Sequence, residues 1–330
     1  VFDPRIHGDL DAKGARLDFA VNVADETPRW LQKAIVQAVG RLRDYPDAEE
    51  VSQVEAQIAE YHGVPSEQIM LTSGASEAFA LLKNLAPVRP CIIHPGFSEP
   101  DAIFGSQAIH HVLHPPFEDL GSLPDCDMAI LGNPTNPTGV LHDPRSLRAP
   151  GRTVVVDEAF LDVVGEEHSL IPSQLFDVLC LRSLTKTWAI AGLRVGYVAG
   201  PAALLDQLRA TRAHWPVNTL ALAAAAAVFE HGVQTLPAIR EAQEQQRGEM
   251  LGLLEAAGFA QASRSVAPFV LMRTPFEQPE RIRQELLRRG IAVRRCDTFP
   301  GLDLNHWRLA LRPQREVREF LNTLHQIGVL

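Results

Sequence analysis

The chain has 330 residues, enough to bury a substantial core and to form two domains or one large domain with a satellite. Its 46% hydrophobic and 22% charged content is ordinary for a soluble globular protein. A formal net charge of −9 argues against general nucleic-acid binding, although a few arginines inside a cleft can still reverse the local field for a small anion.

Taken in chain order, Pro28 to Arg43 reads as a helix with Thr27 as N-cap, and Ala48 to His62 as a second helix closed by Gly63. Short apolar runs then recur at Ile69–Leu71, Cys91–Ile93, Met128–Leu131, Thr153–Val156, Val178–Leu181 and Val195–Val198. Bounded by turn residues, they suit strands buried on both faces of a mostly parallel sheet. Residues 201–258 read as helical. A strand at Phe269–Met272, a helix at Glu277–Arg289, strands at Ile291–Arg295 and Trp307–Leu311, and a helix from Arg315 to Ile327 form an α+β module. No signal peptide and no membrane-spanning run is apparent, so neither a membrane nor nucleic acid is an expected partner. Cys91, Cys126, Cys180 and Cys296 form no Cys-x-x-Cys pair. They read as buried reduced thiols of a cytoplasmic protein, and no metal ligands are assigned.

In open α/β sheets, ligands bind outside the carboxyl ends of the strands, so the residues following each strand are the candidate site. Gly74-Ala75-Ser76 opens a helix whose free N–H groups and dipole favour a phosphate. Phe97, on a His-Pro-Gly-Phe turn, can cover a planar ring. The rigid turn Gly132-Asn-Pro-Thr-Asn136-Pro-Thr-Gly139 presents side-chain amides. Asp157 ends a buried strand, where a carboxylate must be paired or do chemistry. Ser183-Leu-Thr-Lys186 follows the next strand, with Arg194 between Gly192 and Gly196. Each piece alone also reads as an ordinary turn, core or surface residue. Together they match the needs of pyridoxal phosphate: a lysine to condense with its aldehyde, an acid for the ring nitrogen, and a hydroxyl, guanidinium and helix end for the phosphate.

Over nearly its whole length the chain resembles the pyridoxal-phosphate enzymes of fold type I, the class I/II aminotransferases. Ser73-Gly-Ala75, Asn133–Gly139, Val156–Ala159, Ser183–Lys186 and Arg194–Tyr197 carry the resemblance. It implies an α/β, three-layer large domain with a mostly parallel sheet at residues 48–210, plus a smaller α+β domain from residues 1–47 and 211–330. It also implies Lys186 and Asp157 as catalytic residues. Gly74, Ala75, Ser76, Ser183 and Arg194 become phosphate ligands, Phe97 the stacking ring and Asn136 the partner of the ring hydroxyl. Tyr45 is implied to reach the cofactor of a partner subunit in a homodimer. Arg308 is implied to grip a substrate carboxylate. Phe160 departs from the tyrosine common in many relatives.

Two branches of that family act on small phosphorylated amino compounds. His7-Gly8-Asp9, Asp18-Phe-Ala-Val-Asn22, Gly290–Cys296 with Phe299–Leu302, and Phe160 lean toward the threonine-phosphate decarboxylase branch. Histidinol-phosphate aminotransferase is the alternative, and a non-catalytic cofactor-binding protein a remote third. His7, Asn22, Arg294, Arg308 and Arg312 are the expected substrate-binding residues. Arg308 and Arg312 are two strand steps apart and are expected to share one facing toward a doubly anionic substrate.

Overall fold

The computed structural model describes residues 12–330. Among the described residues the strands are β1 (Leu17–Asp18), β2 (Ile69–Thr72), β3 (Pro90–His94), β4 (Ile109–Val112), β5 (Met128–Gly132), β6 (Thr153–Asp157), β7 (Val178–Ser183), β8 (Gly196–Ala199), β9 (Ala260–Gln261), β10 (Phe269–Arg273), β11 (Ile291–Ala292), β12 (Arg294–Arg295) and β13 (His306–Ala310). The α-helices are α1 (Arg29–Ala38), α2 (Ala48–His62), α3 (Gly74–Leu81), α4 (Glu99–Phe104), α5 (Ala202–Arg209), α6 (Thr219–Ala227), α7 (Leu236–Ala256), α8 (Pro279–Arg288) and α9 (Gln314–Gln326).

A seven-stranded sheet in the order β2-β8-β7-β6-β5-β3-β4 forms the middle layer, and only β8 runs against the others. Strand side chains alternate between its two faces. Leu71, Ile93, Leu131, Val156 and Cys180 join α1, α2 and α6 in one core. Met70, Ile92, Ile130, Val155 and Leu181 join α3 and α5 in the other. This double burial explains why the strands read as unbroken apolar runs. β4 was missed in the sequence because its Ile-His-His-Val run is half exposed at the sheet edge.

A second, antiparallel sheet, β12-β13-β10-β9, packs with α8, α9 and the end of α7 around Trp307, Leu309, Met250 and Phe320. The run expected as one strand at Ile291–Arg295 is split. β11 pairs with β1 from the N-terminal arm, whereas β12 pairs with β13. The expected grouping of residues 1–47 and 211–330 does not follow the packing throughout. Leu31 of α1 and Ala221, Leu222 and Ala225 of α6 lie in the core of the large sheet. α7 bridges the two cores, with Leu236 in one and Met250 and Leu254 in the other. Thr27 does not cap α1; its hydroxyl donates instead to the Ala189 carbonyl at 2.7 Å. No helix among the described residues is long and apolar enough to cross a membrane.

The Asn133–Gly139 turn is tied to the second module. Ser263 Oγ donates to the Thr138 carbonyl at 2.6 Å, and Val266 N donates to the Gly139 carbonyl at 2.9 Å. Gly139 sits at φ 70°, where an added Cβ would come within 2.9 Å of Ser265 Cα and overlap its side chain. Gly139→Ala is therefore expected to destabilise the protein by about 1–3 kcal/mol, from left-handed backbone strain and the clash. Denaturant melts check this; an unchanged midpoint would contradict the packing.

Candidate active site

The parallel register sets strand ends side by side. Gly132 pairs with Asp157, Asp157 with Leu181, Ser183 with Gly196, and Gly196 with Thr72. Because β8 is antiparallel, the residues entering it, including Arg194, lie at the same edge as those leaving the other strands. A cavity of about 390 Å³ opens there, between the large sheet and the second module. Its wall includes Ala75, Ser76, Phe97, Asn136, Asp157, Ser183, Lys186 and Arg194 from the sheet edge. Asn22, Arg294, Phe299 and Arg308 close it from the other side.

At one end, Arg194 adopts a left-handed backbone (φ 56°) and its Nη2 donates to Ser76 Oγ at 2.7 Å. Gly74, at φ 72°, leaves the space the guanidinium occupies; a Cβ there would stand 2.7 Å from Arg194 Nη2. Gly196 similarly lets β8 pass close to the Arg182 carbonyl and the Ala75 N–H. The N-terminus of α3, a fixed guanidinium and the hydroxyls of Ser76 and Ser183 thus converge on one anion-sized space. Ser183 Oγ lies 2.7 Å from Thr185 Oγ1, a neighbour the sequence reading did not single out.

Asp157 is partly exposed and lines the cavity at the end of β6. Burial pushes its carboxyl up to about 6, opposed by the Ala159 N–H at 3.1 Å and the charge of Lys186. The next residue points the other way, as alternation requires. Glu158 accepts from Arg182 Nε at 2.8 Å and from Ser169 Oγ at 2.8 Å, and Arg182 also pairs with Glu166 at 2.6 Å. This buried network pins the ends of β6 and β7 beneath Asp157 and Ser183. Sequence reading missed it because the acid and arginine are far apart in the chain. Phe160 packs edge-on against Phe269 at 5.1 Å, so the position is filled by apolar packing.

On the opposite wall, Arg308 Nη1 donates to Asn136 Oδ1 at 2.6 Å, and Nη2 donates to the Ala20 carbonyl. The Asn22 amide, oriented by its donors, accepts from Arg308 Nη1 at 3.0 Å. Arg308 lies over the Phe269 ring, and Arg294, directly opposite it in the β12–β13 register, lies over Phe299. Burial and the neighbouring charge of Arg294 lower the Arg308 guanidinium to about 9. Two adjacent buried cations call for an anion.

Arg312 lies two residues past the end of β13 and reaches the same N-terminal arm as Arg308, but it does not line the main cavity. Its Nε and Nη2 hold the carbonyls of Asp18 and Val21, it lies 3.6 Å from Asp25, and it borders a separate space of about 130 Å³ beyond Lys186. It clamps the N-terminal arm that carries Asn22. Tyr45 is outside the cavity of its own chain, 75% exposed and stacked on Trp215 at 4.3 Å. His7 lies outside the described residues. Ala20, Ser98, Glu99 and Phe299 line the cavity without having been anticipated; only a resemblance to the neighbouring motifs could have pointed to them.

An anion cradle, a buried acid and a lysine around one flat space fit a phosphorylated aromatic cofactor with an aldehyde. The fold and site are those of a cofactor-dependent enzyme acting on amines. The chain matches the aminotransferase class I and II family model over residues 16–324 and belongs to that family; its cofactor is pyridoxal phosphate. It is 45% identical to a histidinol-phosphate aminotransferase of Mycobacterium tuberculosis, over 94% of this chain and 87% of that protein. It is 28% identical to the threonine-phosphate decarboxylase of Salmonella typhimurium, over 94% and 91%. The crystal structure of the histidinol-phosphate aminotransferase from Clostridium acetobutylicum superposes with a TM-score of 0.86 at 24% identity, covering 94% of this chain and 98% of that one.

Gly74→Ala should push the Arg194 guanidinium out of the cradle. The expected result is cofactor binding weakened by about tenfold or more, read by equilibrium titration, with the fold intact. Asp157 gives a pH prediction. Its folded pKa is raised, so between the ordinary carboxylate range and about 6 the folded state holds the extra proton, and stability falls as pH rises through that window. Cofactor-free Asp157→Asn lacks this penalty. It should melt higher than wild type at pH 8, with the gap closing toward pH 4, while turnover drops. A gap independent of pH would contradict the buried-acid assignment.

Proposed function

We propose that this enzyme is a transaminase of the histidinol-phosphate aminotransferase kind, exchanging an amino group between a small phosphorylated amine and a dicarboxylic keto acid. The observation that carries the reading is the 2.6 Å hydrogen bond from Arg308 to Asn136. Pyridoxal phosphate, when bound, supplies an aldehyde that condenses with amines and a ring that withdraws electrons from the substrate Cα. Asp157 would pair with the ring nitrogen, Asn136 with the ring hydroxyl and Phe97 with the ring face, and Arg194, Ser76, Ser183 and the α3 N-terminus would hold the phosphate. A carboxylate held by Arg308 would lie beside Asn136. With its carboxylate fixed there, a substrate would present its Cα–H, not its carboxylate bond, for cleavage. Lys186 Nζ would serve as the general base for that proton and as the acid that returns it.

Arg294 gives a second cation for the distal anion. The side-chain carboxylate of glutamate and the phosphate of the amine use it in turn. This reverses the preference for decarboxylation drawn from the arm and second-module motifs, since the 45% relative is an aminotransferase and the decarboxylase relative stands at 28%. With histidinol phosphate and 2-oxoglutarate, glutamate should form, and phosphothreonine should release no CO₂. Arg308→Lys should raise KM for glutamate by about tenfold, because it loses the planar fork. CO₂ from phosphothreonine without glutamate formation would return the decarboxylase reading.

Val36, Leu42, Tyr45 and Trp215 are large, exposed apolar side chains, and Tyr45 stacks on Trp215. They form the face on which a second copy docks, Tyr45 reaching the partner's phosphate cradle. Four buried thiols suit a reducing compartment, so the enzyme works in the cytoplasm. Equilibrium sedimentation should give a dimer at micromolar concentration; a monomer with full cofactor occupancy would refute this role for Tyr45.

A further inference from the structure

We propose that His94, Asp101 and His110 bind one divalent transition ion of the zinc class, next to the turn that carries Phe97. The sequence reading assigned no metal ligands, because the three residues belong to three different elements. The topology brings them together. β3 and β4 are parallel neighbours, with Ile92 opposite His110 and His94 opposite Val112, and α4, which joins them, carries Asp101.

The Nε2 atoms of both imidazoles approach one carboxylate oxygen. His94 Nε2 lies 3.3 Å and His110 Nε2 2.7 Å from Asp101 Oδ1, and the ligand atoms of all three residues fall within 4.8 Å of one another. Tetrahedral zinc with bonds of about 2.0–2.2 Å needs ligand atoms about 3.4 Å apart, which small side-chain rotations supply here. Asp101 is 5% exposed, and its Oδ1 is the common point on which both imidazoles converge. A buried carboxylate and two imidazoles drawn to one point form a ligand set in which a divalent cation is held by charge and by lone pairs.

Two imidazoles and one carboxylate suit zinc, cobalt or nickel, whereas calcium and magnesium prefer all-oxygen sites. Three protein ligands leave a fourth position for water. The His110 side chain is 39% exposed, which provides an entry path from the sheet edge.

The ion would lock the β3–α4 turn. Leu113 N donates to the His94 carbonyl at 2.7 Å, and Gly96 fits where a Cβ would stand 2.5 Å from the Ile93 carbonyl. Gly301, two residues past Phe299, packs against Val112 and Pro95. The site therefore sits behind both aromatic residues, Phe97 and Phe299, that face the cavity.

The test uses the full chain with its cofactor, stripped of metal by a chelator and titrated calorimetrically with zinc alone. The expected result is one ion per chain, with Kd of about micromolar or tighter. His110→Ala, at an exposed edge position outside the cavity, should weaken binding by about tenfold or more while pyridoxal phosphate still binds. Asp101→Asn should do the same, with circular dichroism checking its fold. X-ray absorption at the zinc edge should show two nitrogens and one carboxylate oxygen from the protein. No binding up to about 100 µM, or equal affinity of wild type and His110→Ala, would overturn the site.

Discussion

The arrangement depends on the register of the large sheet, because a one-residue slip of β6 or β7 would turn Asp157 or Ser183 to the opposite face. Register sets Asp157 beside Gly132 and Leu181. It also forces Glu158 away from the cavity and into the Arg182–Glu166 pairs. One face of β6 thus offers chemistry and the other anchors it. The cost of keeping Asp157 dehydrated appears as its raised pKa, and a cationic partner in the cavity would offset that cost.

Much of the large sheet was readable because strands buried on two faces must be apolar throughout. The strand-end motifs were readable because their chemistry is costly elsewhere. β4 was not, since an edge strand exposes alternate residues and its histidines break the apolar run. Arg312 reaches the same arm as Arg308, but strand spacing could not show that its guanidinium would be taken up by the Asp18 and Val21 carbonyls. The packing of α1 and α6 against the large-sheet core was not legible for a related reason: an amphipathic or alanine-rich helix shows that one face is buried, but not against which core.

The reaction type was the least readable feature. The motifs that leaned toward decarboxylation have structural roles in this chain. Phe160 packs on Phe269, the Gly290–Leu302 segment divides into β11, β12 and a loop seated on Pro95 and Val112, and the Asp18–Asn22 arm is threaded through Arg308 and Arg312. These features build the cavity's second wall without setting which bond stands across the ring. That choice rests on where a carboxylate is held, and the Arg308–Asn136 contact is a tertiary fact with no local signature.

The account stands on Lys186 as the residue that condenses with the cofactor aldehyde. Borohydride reduction of the cofactor-loaded protein, followed by peptide mass mapping, tests this most directly. A single phosphopyridoxyl group on Lys186, absent from Lys186→Ala, is the predicted result. A stoichiometric label on any other lysine, or an undiminished label in Lys186→Ala, would contradict it.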